Sequence, residues 1–222
     1  MSPLLLSMKT AAVAGLLTFF LGLWAAKEVN GIKRPGIRMI LDGLLTLPLV
    51  LPPTVAGFFL LYIFGVNRPI GRFFLDFFSW KIAFSWEATV LAATVVSFPL
   101  MYRSARGALE QVDSDYLNAG RTLGLSEWYI FLRIQLPLAA PGILSGGILA
   151  FARGLGEFGA TAMIAGNIAG KTRTLPLSIY SAVAAGRMED AYREVGIIVV
   201  FSFVVVVLMN YFTRRSGKGV RA

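Results

Sequence analysis

The chain has 222 residues, of which 56% are hydrophobic and only 15% charged, an apolar excess too large for a soluble domain, where about a quarter of residues carry charge. Its 21 basic residues exceed the 12 acidic ones by a formal +9, but they cluster between long uncharged stretches and make no dense basic field of the kind that binds nucleic acid. The lack of cysteine and histidine excludes thiolate and imidazole metal sites, disulfides, Cys–His and Ser–His pairs and His-ligated haem. Composition therefore indicates a membrane protein with no thiolate or imidazole metal site and no conventional redox or hydrolytic centre.

A hydrocarbon core of about 30 Å needs roughly 20 mostly apolar residues of helix, and five stretches between charges are candidates. The first runs from Lys9 to Lys27. A cleavable signal is the competing reading, but Trp24 stands where a small residue is needed before the cleavage point, so the stretch is taken as a first helix. The second, Asp42 to Arg68, contains Pro48, Pro52 and Pro53. These prolines break the helical ladder, and the freed carbonyls must be satisfied by protein or cavity water. A discontinuity at a water-filled route or a subunit interface and a plain structural kink both fit, and Pro52 and Pro53 are candidates to line or gate such a route.

The third stretch, Glu87 to Arg103, has only 15 uncharged residues, so its helix is expected to extend at one or both ends and to bend at Pro99. A polar segment over about 103–140 follows. Asp113 or Ser114 suits a helix start, and Tyr116, Ala119, Gly120 and Leu123 recur at helical spacing. Gly124 supplies a stop, and Ser126 caps a second short helix running toward Pro137. Such a helix–Gly–helix element needs a groove, either on its own membrane helices or on a partner.

The fourth stretch, Arg133 to Arg153, carries Gly142, Gly146, Ala150 and Gly154 at four-residue spacing, a stripe suited to close helix packing. Arg153 and Glu157 lie one turn apart and can neutralise each other; unpaired, each costs about 2.5–3.5 kcal/mol at the bilayer centre. They are read either as a paired bridge between packed helices or as groups lining or gating a water-filled route through the membrane. Residues 174–186 are too few to cross and suggest a short outer or re-entrant helix. The fifth stretch runs from Glu194 to Arg214.

The expected fold is thus all-α: a bundle of five transmembrane helices, six if 174–186 cross, with 1–222 forming one transmembrane domain. Twelve basic residues gather in 27–41, 103–140 and the tail, against eight on the other side. The positive-inside rule then places the N-terminus outside and the C-terminus in the cytoplasm.

The run from Asn118 to Pro137 resembles the loop signature of permease subunits of ATP-binding-cassette importers: E-A-A, three residues, G, nine residues, I-x-L-P. Ala119, Gly124, Ile134, Leu136 and Pro137 match in register, while Asn118 replaces the acid and Gly120 the second alanine. The stretches Leu47 to Gly65 and Phe151 to Tyr180 look like the molybdate-type branch of these permeases, with sulfate permeases next. The resemblance implies a homodimer in a prokaryotic plasma membrane that passes a tetrahedral oxyanion, molybdate or tungstate, by alternating access. It also implies two ATPase subunits docked on the 113–137 loop, which bind ATP and magnesium, and an extracytoplasmic oxyanion-binding protein. The chain has no G-x-x-x-x-G-K-[ST] loop of its own and is not expected to be an enzyme or to hold a cofactor.

The rival readings are a sulfate or thiosulfate permease, a cation-conducting or scaffold protein, and an embedded lipid enzyme using carboxylates. The best acidic pairs for the last, Asp113 with Asp115 and Glu189 with Asp190, lack a supporting base or metal ligand at useful spacing.

Overall fold

The structure, a computed structural model, describes residues 1–218, with side chains described through residue 208. Helix α1 (Pro3–Asn30) starts at Ser2, whose hydroxyl accepts the Leu5 N–H at 3.4 Å. It runs past both Lys9 and Lys27, so Lys9 lies within the helix, its ammonium 3.8 Å from the centre of the Trp86 ring.

The stretch expected as one span from Asp42 to Arg68 is two helices, α2 (Pro35–Val50) and α3 (Pro53–Phe64), meeting at 110°. Helix α2 passes through Pro48 and ends at Leu51. Leu51 and Pro52 each precede a proline, and both are extended, with ψ of 139° and 135°, because proline drives the preceding residue out of the helical region. Pro53 then opens α3, where its missing N–H costs nothing. At 1.5 Å per residue the halves measure about 24 and 18 Å, so neither crosses the core alone.

A short helix α4 (Pro69–Phe78) precedes α5 (Trp86–Glu110), which Ser85 caps. Helix α5 continues through the buried Pro99 and, as its short uncharged run required, extends beyond Arg103. Then come α6 (Ser114–Thr122), α7 (Glu127–Ile130), a π-helical turn (Phe131–Gln135), α8 (Leu136–Leu155), α9 (Gly159–Ile164), α10 (Leu175–Ala184) and α11 (Met188–Lys218).

Among the described residues, four helical rods are long and apolar enough to cross a membrane: α1, α5, the continuous rod 127–155, and α11 through residue 208. The bent α2–α3 pair supplies a fifth span or a re-entrant loop. Helix α10, at about 15 Å, is too short to cross, as expected for 174–186. The tail charges Arg214, Arg215, Lys218 and Arg221 used in the orientation count lie outside the described side chains.

Helices α1, α5 and α8 pack on one another through small residues, and Gly142 and Gly146 of α8 face α5. A Cβ on Gly142 would lie 2.6 Å from the Ala108 Cβ, one on Gly146 would strike Ser104, and one on Gly22 of α1 would come within 2.7 Å of Met101. In lipid, where apolar burial gives little drive between helices, this close approach and the buried hydroxyl pairs Thr10–Thr89 (3.0 Å) and Thr18–Ser97 (3.1 Å) supply the adhesion. Gly146→Val is expected to cost about 1–3 kcal/mol through overpacking, seen as a lower thermal midpoint in detergent. An unchanged midpoint would remove Gly146 from the packing seam.

Candidate coupling handle and pathway junction

Between α5 and the 127–155 rod the chain folds into the helix–Gly–helix element its sequence suggests. Asp113 caps α6 by accepting the Asp115 N–H at 2.9 Å, and Ser126 caps α7 by accepting the Tyr129 N–H at 3.2 Å. Gly124 sits at φ +74° with nothing within 4 Å of its missing side chain, so conformation and not space demands glycine there. The Leu125 N–H bonds to the Gly120 carbonyl (3.1 Å) and the Gly124 N–H to that of Arg121 (2.9 Å), the two bonds of a Schellman stop.

Gly120 is the one buried residue of α6. A Cβ there would meet Ile130 at 3.0 Å and Ile134 at 3.3 Å, so Gly120 lets α6 lie directly on the base of the rod and Ile134 is part of its seat. Asn118, in the place of the family's acid, accepts from Arg121 at 2.9 Å. Arg121 in turn forks onto both Glu127 oxygens (2.7 and 3.2 Å), fastening α6 to α7, and this carboxylate raises the guanidinium pKa above its ordinary value. Sequence reasoning counted Arg121 only as a positive charge; its six-residue spacing to Glu127 across a glycine stop is the signal it missed.

Within the 103–140 segment α5 holds its helix to Glu110 and the rod begins at Glu127. The second short helix runs on toward Pro137 and passes into α8 through the π turn, in which the Leu136 N–H bonds to the Phe131 carbonyl. Pro137 has no N–H to give and its ring crowds the carbonyl four residues back, so the helix widens by one residue instead of breaking. Leu136 packs against the core while Pro137 and Ala119 are exposed. Gly120→Leu is expected to detach α6 from the rod while leaving the bundle's thermal midpoint in place, seen as faster amide exchange confined to 114–130. Exchange unchanged there would disprove the seat.

The apolar face read from the spacing of Tyr116, Gly120 and Leu123 is buried only at Gly120. Tyr116 (59%) and Leu123 (77%) stand exposed, as do Trp128 (59%) and Tyr129 (49%) on α7. The element is nevertheless tied to the bundle. The Lys27 ammonium lies 4.8 Å from the Trp128 ring and 5.4 Å from that of Phe131, linking α1, and Gln135 donates to the Leu109 carbonyl at 3.2 Å, linking α5.

Beside it lies a polar cluster that the sequence did not disclose. Arg106 of α5 pairs with Asp42 of α2 and, at 3.0 Å, with Glu110, which also pairs with Arg38; the Tyr102 hydroxyl donates to Asp42 at 2.9 Å. These groups join α2 to the end of α5 that leads into α6. The links between α2 and α5 span about sixty to seventy residues and left no local pattern.

The pathway candidates meet at a second place. Arg153 Nη1 donates to Glu157 Oε2 at 2.7 Å, and Glu157, only 2% exposed, accepts the Ala160 N–H at 2.8 Å through its other oxygen. Glu157 thus both neutralises Arg153 and caps α9. Helix α9 packs on α3: a Cβ on Gly159 would lie 3.1 Å from Pro53, and one on Gly57 2.6 Å from the Ala160 backbone. Pro52, whose carbonyl accepts the Val55 N–H at 2.8 Å, and Pro53 therefore share a junction with Glu157, two broken helices joined at their starts. The rival acidic pairs have structural partners: Asp113 is a helix cap, and Asp190 bridges to Arg187 (3.7 Å) and Arg193 (3.2 Å).

The sequence profile of the binding-protein-dependent transport system inner membrane component family matches residues 18–218. The chain belongs to that family. Its relatives include the molybdenum transport system permease protein ModB of Escherichia coli (strain K12), 42% identical over 96% of this chain and 93% of that protein. The putative molybdenum transport system permease protein YvgM of Bacillus subtilis (strain 168) is 44% identical over 92% and 90%, and the sulfate transport system permease protein CysT of Escherichia coli (strain K12) is 34% identical over 95% and 76%. Among solved structures, an inward-facing MetNI methionine ABC transporter superposes with a TM-score of 0.75 at 16% identity, covering 96% of this chain and 94% of the other. A bacterial alginate ABC transporter in complex with a periplasmic protein gives 0.76 at 13%, covering 96% and 77%. At such identities these carry the fold alone. The chain is a multi-pass permease subunit of an ATP-binding-cassette importer, a transport component whose ATPase is a separate subunit.

Proposed function

We propose that two copies of this subunit enclose a path for a tetrahedral oxyanion, molybdate or tungstate, across a prokaryotic plasma membrane, with the N-terminus outside and the C-terminus in the cytoplasm. Two ATPase subunits, holding ATP and magnesium, dock on α6 and α7, and an extracytoplasmic binding protein delivers the anion. The observation that carries the docking assignment is the uncovered face of Tyr116, Leu123, Trp128 and Tyr129 on an element whose own fold is complete. Aromatic groups exposed together on a rigid support mark a protein contact. Because α7 continues into α8, and Lys27 and Gln135 tie the same base to α1 and α5, displacement of the handle moves three helices together. ATP-driven closure of the two ATPases draws the handles together and opens the path outward, and hydrolysis returns it to facing inward. The α3–α9 junction with Arg153, Glu157, Pro52 and Pro53 lies on or gates that path.

The substrate class rests on 42% to 44% identity with permeases named for molybdenum. The 34% relative named for sulfate makes sulfate the second reading. Radiolabelled molybdate uptake into vesicles holding the assembled transporter is expected to require ATP, to be competed by tungstate and to resist sulfate. Equal competition by sulfate would favour the second reading, and uptake without ATP would end the coupling proposal.

A further inference from the structure

Helix α4 has no place in the handle or the junction. It lies between the end of α3 and the start of α5, at the opposite end of α5 from α6 and α7, so it sits where the chain re-enters the membrane. Ten residues reach about 15 Å, half the hydrocarbon core. Its sequence is strongly two-sided. Ile70, Phe73, Phe74, Phe77 and Phe78 fall at i, i+3, i+4, i+7 and i+8 on one face, while Arg72 and Asp76, paired at 3.7 Å, occupy another.

The aromatic face is ordered but uncovered. Phe73 and Phe77 rings lie 4.8 Å apart, and the chain turns at Ser79, in the left-handed region at φ 51°, to bring Trp80 edge-on to Phe74 at 5.7 Å. Phe77 is 74% exposed, and Phe73 and Phe78 stand open beside it. The helix is held in this attitude by Gly71, where a side chain would collide with the carbonyls of Phe64 and Gly65 at the end of α3. Cations flank both ends: the Arg68 guanidinium sits 4.0 Å from the centre of the Tyr62 ring, and the Lys81 ammonium 6.0 Å from that of Phe84.

From this geometry we infer that α4 is an interfacial anchor whose aromatic face is seated in the phospholipid acyl–headgroup boundary of the leaflet remote from α6 and α7, with Arg68 and Lys81 level with lipid phosphates. The position at a span entrance selects lipid as the occupant, and the charge placement agrees with it. Aromatic rings bearing adjacent basic groups partition to this layer, and a short helix with one apolar face lies along it. Helix α4 thereby sets the height and tilt of α3, to which Gly71 locks it, relative to the bilayer.

The natural absence of cysteine makes the test direct. Nitroxide labels on Phe77→Cys, Phe73→Cys and Asp76→Cys variants of the assembled transporter, in phosphatidylcholine–phosphatidylglycerol vesicles, report accessibility to oxygen and to a water-soluble nickel chelate. The labels at 73 and 77 are expected to be several-fold more accessible to oxygen than to the chelate, and the label at 76 the reverse. Water-like accessibility at all three positions would overturn the inference. Shielding of 73 and 77 from both reagents would also overturn it, assigning the face to a second copy or a protein partner. Both phenylalanines are surface groups, so either variant suffices if the other is poorly recovered.

Discussion

Leu123→Asp is expected to weaken recovery of the ATPase subunit with the detergent-extracted permease about 30-fold and to leave the bundle's thermal midpoint unchanged. Leu123 is 77% exposed and follows the last turn of α6, whose termination is secured by the two backbone bonds around Gly124. No buried contact within the chain is lost on replacement, so the folded subunit tolerates the carboxylate. In a docked complex the same carboxylate is carried into a desolvated contact among Tyr116, Trp128 and Tyr129. Burying it without a partner costs about 2 kcal/mol or more, roughly a 30-fold loss of affinity. The measurement is co-purification of the ATPase at graded concentrations beside a melting curve of the permease. Unaltered recovery would exclude this face as the contact, and a lowered midpoint would show that Leu123 supports the bundle instead.

Glu157→Gln is expected to lower the abundance of folded subunit in the membrane by destabilising it by about 3 kcal/mol. The amide oxygen can still accept the Ala160 N–H that the carboxylate accepts at 2.8 Å, so the α9 cap survives. What disappears is the negative charge 2.7 Å from Arg153, leaving a partly buried guanidinium uncompensated. Removing one member of a buried pair costs about 3–5 kcal/mol, and the lower end applies because Arg153 retains some exposure. The double variant Arg153→Met with Glu157→Gln removes both charges and is expected to regain most of the abundance, since the cap remains and no lone charge is left. Quantitative membrane blotting follows the first effect and oxyanion uptake the second. Restored uptake in the double variant would assign the pair to helix packing, and restored abundance without uptake would assign it to the path. Normal abundance of Glu157→Gln alone would contradict the geometry.

The spans were readable where a single physical requirement governs them. An apolar run long enough to cross lipid has one stable conformation, because every backbone group must bond within the segment, and α1, α5, α8 and α11 follow from that. The handle was readable for a different reason: its starts and stops are set by local chemistry, Asp113, Gly124 and Ser126 acting on neighbours within a few residues. Pro52 and Pro53 announced a break, but not its angle, since proline forbids the helix without choosing the direction that follows. Helix α4 escaped notice because its charges interrupt the run and its aromatic residues only form a face once wound at helical spacing.

By itself, the sequence determined the membrane class, the helical spans, the caps of α6 and α7 and the register of the permease signature, all consequences of interactions within a few turns. The tertiary structure alone decided that Gly120 seats on Ile130 and Ile134 and that Arg38 and Asp42 meet Arg106 and Glu110. It also decided that Pro53 shares a junction with Glu157 and that the aromatic faces of α4, α6 and α7 stay uncovered. Those facts join residues far apart in the chain, and which of them come together depends on how whole helices pack, a competition among many weak contacts that no short stretch of sequence records.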